Sequence, residues 1–124
     1  KYHWLEECQH AIMDEIEWVK EHDRLTPAER DKAVDDLITL VGAVDGILQD
    51  QAAVDAAYFL KLCTRSFDDA EQQAIRKGVL RAYRWQYIVS GVEHPHFVRL
   101  LSRMTTQAQM TRIQSALAPI VGAG

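Results

Sequence analysis

Residues 26–62 read TPAERDKAVDDLITLVGAVDGILQDQAAVDAAYFLKL, and this stretch decides the fold class. Thr26, Pro27 and Glu29 form a helix start signal, in which threonine and the glutamate three residues later cap the first turn and proline takes the first helical position. Apolar residues then recur at intervals of three or four. The spacing predicts a helix of about 35 residues beginning at Pro27, or two helices broken near the glycines of VGAVDG.

The same helical period governs the rest of the chain. Ser66 and Thr105 or Thr106 are the expected caps of two later helices, and Gly91 and Pro119 are the expected stops. No segment alternates with period two over the length of a strand. We therefore predict an all-α, bundle-like single domain over residues 1–124, with helices near 2–22, 27–62, 67–90, 95–103 and 106–118.

Composition limits the classes of partner and compartment. The chain of 124 residues carries 14 Lys and Arg against 18 Asp and Glu, a formal net charge of −4. This balance does not provide the positive surface that nucleic-acid binding requires. We expect no membrane partner, because no signal peptide opens the chain and no apolar run approaches about 18 residues. A cytoplasmic protein with Cys8 and Cys63 as reduced thiols is expected.

The first residues of the chain indicate whether it is part of a longer protein. Lys1 to Leu5 enter a helical pattern at once, without the residue that usually caps a first turn. We therefore expect that the chain is the C-terminal part of a longer protein. Its fold is then incomplete at the N-terminus, and the missing N-terminal helices are expected partners.

One face of the first predicted helix concentrates residues that bind metals. At about 100° per residue, His3, Glu7, His10, Asp14 and Glu17 lie within about 80° of arc. The spacing His-x3-Glu-x2-His lets one helix offer two imidazoles and a carboxylate to an ion. This donor set suits iron, manganese or zinc, and bridging carboxylates favour a site with two ions.

Two other interpretations of this face stay open. A solvent-exposed helix face is also rich in Glu and Asp, and a buried network of hydrogen bonds would equally need these residue types. The apolar residues of the same helix span an arc of more than 200°, which is typical of a buried helix. Burial would require that the imidazoles and carboxylate have a metal or polar partners.

Asp45 is the best candidate for a ligand from the second helix. It lies in an apolar stretch between two glycines, where a carboxylate is costly unless it is paired or coordinates an ion. The alternative is a helix end at Gly46 that leaves Asp45 exposed. Glu93 and His96 form a second Glu-x-x-His, but Pro95 interrupts the helix between them, which favours a surface turn.

The stretch YHWLEECQHA at residues 2–11 resembles the HWxEExQHA stretch of ferritin-like di-iron carboxylate proteins. Segments 44–48 and 90–97 extend the similarity, and its most specific part is this first stretch. The resemblance implies a four-helix bundle with two metal ions, to which this helix contributes His3, Glu7 and His10. The other ligands would then lie on the missing helices.

These observations lead to two expectations about function. The first is a di-iron protein, with manganese or zinc as alternatives, that acts as an oxidase or oxygenase dependent on O2. The second is a non-enzymatic helical domain for interaction or oligomerisation, in which the aromatic residues and the long helix form the interface of a homo-oligomer.

Overall fold

The computed structural model describes residues 2–122, with the side chains of all of them except Trp4 and Leu5. Within this range the chain forms five helices and no strand, which confirms the all-α prediction. The helices are α1 (Tyr2–Arg24), α2 (Pro27–Leu62), α3 (Asp69–Arg84) with its continuation, α5 (Pro95–Met104) and α6 (Gln107–Val121). A π-helical segment, Trp85–Val89, joins α3 to the short α4 (Ser90–Val92), so residues 69–92 form one helix. The uncapped start expected at Lys1 lies outside the described residues.

Capping boxes fix the starts of α2, α3 and α6. The backbone N–H of Thr26 donates to Glu29 Oε2 at 2.8 Å, and Glu29 N–H donates back to Thr26 Oγ1 at 3.3 Å, as the sequence predicts. The prediction that Ser66 caps α3 is wrong, because Asp68 is the cap and forms the reciprocal box with Glu71. A box needs a long carboxylate or amide three residues after the cap, and only Asp68 has one at that distance.

Both predicted stop signals are wrong by a few residues. Gly91 lies inside the helix, because no glycine among the described residues adopts the positive φ that ends a helix in the left-handed region. Pro119 falls in the last turn of α6, which continues to Val121. A proline there removes a single hydrogen bond to the preceding turn, and the helix ends when Gly122 N–H donates to Ala118 O at 2.9 Å.

The chain divides into two compact units, residues 1–35 and 36–124. The first contains α1 and the start of α2. The second contains a core of Leu48, Ile88 and Ile120, which come from α2, the π-helical segment and α6. Half-buried residues of the same helices pack around this core. α2 is unbroken over 36 residues, which excludes a break at Gly42 or Gly46.

Candidate functional site

The donor face of α1, defined as His3, Glu7 and His10, places one carboxylate between two imidazoles. Glu7 Oε1 lies 3.8 Å from Nδ1 of His3, and Glu7 Oε2 lies 3.8 Å from Nδ1 of His10. Both contacts follow from helix geometry, because residues three and four positions apart lie on the same face. Two atoms bound to one ion at about 2.0–2.2 Å are at most about 4.4 Å apart, so each pair is close enough to share an ion.

The donor face is exposed. The side chains of His3, Glu7 and His10 are 85%, 57% and 63% exposed. Apolar side chains of α1 are exposed too: Tyr2, Ile12, Met13 and Ile16. The expectation that α1 is a buried helix is therefore wrong for its described side chains. An exposed face leaves the three donors accessible to ions and to donors from elsewhere.

A complete metal cage is not formed by the described residues. Within them, no group of three or more His, Cys, Asp or Glu side chains is arranged to hold an ion. The two 3.8 Å contacts join Glu7 to each imidazole separately. Asp14 is exposed on the same side of α1, whereas the Glu17 carboxylate pairs with Lys20 Nζ at 3.1 Å. Further donors would have to complete any centre.

Asp45 forms a buried ion pair in the second unit. Its side chain is 8% exposed, and that of its partner Arg84 is 16% exposed. Arg84 Nε donates to Oδ1 at 2.7 Å and Nη2 donates to Oδ2 at 2.8 Å, a bidentate arrangement. Gln49 Nε2 donates to Oδ2 at 2.7 Å. The hydrogen bonds from Arg84 lower the pKa of Asp45 despite its burial, and Asp45 raises the pKa of Arg84.

The ion pair with Arg84 bears directly on the two predicted roles of Asp45. The alternative of an exposed Asp45 at a helix end is wrong, because the residue is buried in the middle of α2. Its role as a metal ligand stays a prediction, and an ion there would compete with the guanidinium of Arg84. The sequence indicated that this carboxylate needs a partner. It could not identify Arg84, which is 39 residues away along the chain.

A second polar contact joins α2 to α3. The hydroxyl of Tyr83 donates a hydrogen bond to Asp55 Oδ2, and Gln51 Nε2 donates to the same oxygen at 3.0 Å. The bond from Tyr83 lowers the pKa of Asp55 and raises that of the phenol. The rings of Tyr83 and Tyr87 meet edge to face with centroids 6.1 Å apart. These contacts and the Asp45 pair fix the register of the two helices.

α2 carries a second apolar surface that faces solvent. We define the outer stripe by the large apolar residues that lie within about 40° of Leu40 on the helix and are more than half exposed. They are Leu40, Ile47, Val54, Tyr58 and Leu62. The buried residues Leu48, Ala52 and Ala56 lie on a different side of α2. A helix that is apolar on two sides usually has partners on both.

α2 also meets the criteria for a membrane span. By length and composition it is the one helix of the described chain apolar enough to cross a membrane. The core helix of a soluble protein meets the same criteria, so the absence of a membrane partner stays a prediction. Cys8 and Cys63 are free thiols, as expected.

Comparison with known proteins assigns no family. No family model matches the chain, and no curated protein or solved structure matches it significantly. The ferritin-like interpretation therefore depends on the residues of the chain itself. It rests on the resemblance of residues 2–11 and stays a prediction.

Proposed function

We propose that α1 provides His3, Glu7 and His10 as ligands of a di-metal centre, with iron as the metal and manganese or zinc as alternatives. The observation that carries the proposal is the position of Glu7, whose two carboxylate oxygens each lie 3.8 Å from a different imidazole. A carboxylate that reaches two ligands through separate oxygens is suited to bridging two ions.

The composition of the donor face fits these metals. Imidazole and carboxylate together bind iron, manganese and zinc, and three protein ligands leave positions open. The exposure of all three side chains leaves them accessible to a second set of donors. Iron, when bound, supplies the activation of O2 for an oxidation or oxygenation reaction. The residues of this chain hold the ions.

The test compares the metal content of two variants of the protein. Glu7→Ala removes the central carboxylate, and we expect loss of bound metal with unchanged helix content, because alanine favours helices. Glu6→Ala is the matched control. It removes an exposed carboxylate that points about 100° away on the same helix.

Elemental analysis after purification with added Fe(II), together with circular dichroism, decides the matter. Metal retained by Glu6→Ala and lost by Glu7→Ala supports the donor face. Equal metal in the two variants, or no metal in the wild type, overturns it.

The outer stripe of α2 favours a second candidate, a helical domain that associates with another copy of itself. Leu40, Ile47 and Val54 repeat every seven residues, the period of helices that pack side by side. Ile47→Lys would place a charge at the centre of such an interface. Light scattering of the variant should then show a lower mass than the wild type. A wild type that is monomeric at all concentrations excludes this candidate.

A further inference from the structure

The second unit contains an apolar cleft that the proposed metal centre does not use. It lies where α2, α5 and α6 meet the end of the helix formed by residues 69–92, and it has a volume of about 460 Å³. This volume is within the usual range of about 300–1,000 Å³ for small-molecule sites. The walls are mainly apolar and include Val41, Phe97, Leu101, Met110, Ile113 and Leu117.

Of the described residues that line the cleft, only Glu93 and Gln114 have polar side chains. Among the described residues, the Glu93 carboxylate forms no hydrogen bond or ion pair. It is exposed and has no protein partner among the described residues. An apolar site with one unpaired charge at its edge selects a ligand with an apolar body and an opposite charge at one end.

The backbone adds to the negative charge at this end. The cleft is lined by Val92 and Glu93 at the end of α4 and by Val121 and Gly122 at the end of α6. The C-terminal end of a helix carries a partial negative charge, which attracts cations. A basic residue lies in the last turn of α1, α2, α3 and α5. The structure describes every residue of α4 and α6, and neither helix has a basic residue in its last turn. Two helix ends that lack this compensation meet at Glu93.

Two arginines lie on the other side of Glu93. Arg81 and Arg84 line a neighbouring cleft that shares Glu93 and Val121 with the first. The guanidinium of Arg84 is engaged by Asp45. Arg81 belongs to the neighbouring cleft only, and no ion pair joins it to Glu93 in the described residues. Glu93 is therefore without an ion-pair partner among the described residues.

We propose that this cleft binds an aliphatic amine, with its ammonium group at Glu93 and its hydrocarbon chain between α5 and α6. The apolar walls stabilise the chain by excluding water, at about 25 cal/mol per Å² of buried apolar surface. The ammonium group forms a charge-assisted hydrogen bond with Glu93. The proposal does not depend on the metal centre of α1.

Calorimetric titration with three ligands of one chain length tests the proposal. Decylamine, decanol and decanoate differ only in the head group, and they are compared below the concentrations at which they form micelles. We expect decylamine to bind about tenfold more tightly than decanol, and decanoate more weakly than both. Equal binding of the three ligands, or no binding of decylamine, overturns the proposal.

Variants separate the head-group contact from the apolar walls. Glu93→Gln should weaken decylamine about tenfold and leave decanol unchanged, whereas Asp50→Asn, an exposed carboxylate on α2, should change neither. Val98→Trp, at an exposed position of the wall, should weaken both ligands by filling the space. Circular dichroism confirms that each variant is folded.

Decylamine binding that survives Glu93→Gln overturns the assignment of the head group. Binding that is intact in Glu7→Ala shows that the cleft and the metal centre are independent.

Discussion

At the scale of single residues, Asp45 and Arg84 form a buried bidentate ion pair that joins α2 to α3. A buried carboxylate loses the solvation that water gives its charge, and a guanidinium with two well-placed donors replaces much of it. Gln49 supplies a further donor from the next turn of α2. Removal of either charge would leave the other buried without its partner.

Asp45→Asn tests this pair. We expect the free energy of unfolding to fall by about 2–3 kcal/mol, because the variant leaves the Arg84 guanidinium without its counter-charge in a site that is mostly buried. The measurement is urea denaturation followed by circular dichroism. Asp50→Asn, an exposed neighbour on the same helix, should change stability by less than about 0.5 kcal/mol. Equal effects of the two substitutions would contradict the role of the ion pair.

The same pair predicts a dependence of stability on pH. Arg84 lowers the pKa of Asp45 in the folded state below its ordinary value of 3.8. A carboxyl group with a lowered pKa binds fewer protons when folded, so its stabilising contribution is complete above the unfolded pKa. The contribution is lost as the pH falls from about 4 through the folded pKa. Unfolding curves of the wild type and Asp45→Asn should therefore converge in acid, and a constant difference down to pH 2 would contradict this explanation.

At the scale of helices, local signals predicted the starts better than the ends. The capping box at Thr26 and the cap at Thr106 are local, and both are formed as predicted. The start of α3 was displaced by two residues because Ser66 and Asp68 have similar cap preferences, and Glu71 decides between them. Gly91 and Pro119 are compatible with a helix end without enforcing one. Neither local preference nor periodicity predicted the π-helical segment.

Asp68 and Ser66 allow a direct comparison, because Asp68 caps α3 and Ser66 does not. Asp68→Ala should destabilise the protein by about 1 kcal/mol, because the N–H of Glu71 loses its acceptor at 2.8 Å. Ser66→Ala should have an effect below about 0.5 kcal/mol. Thermal unfolding of the two variants measures the difference. A larger effect at Ser66 would place the cap where the sequence alone suggested it.

At the scale of the whole molecule, the candidate site and the core fall on different parts of the chain. The sequence predicted the donor face because a single helix fixes the spacing of His3, Glu7 and His10. The ion pair of Asp45 depends on how α2 meets α3, which periodicity does not encode. All described buried residues lie between Val34 and Ile120, downstream of α1.

A fragment of residues 26–124 tests whether the core and the donor face of α1 are independent. It retains the capping box of α2, every described buried residue and the ion pair of Asp45, but it lacks the donor face. We expect cooperative unfolding of the fragment, because its core of Leu48, Ile88 and Ile120 lies wholly in the second unit. The fragment should bind decylamine and no Fe(II). Loss of cooperative unfolding would show that α1 is required for the core to fold, and Fe(II) binding equal to that of the full chain would move the metal site away from α1.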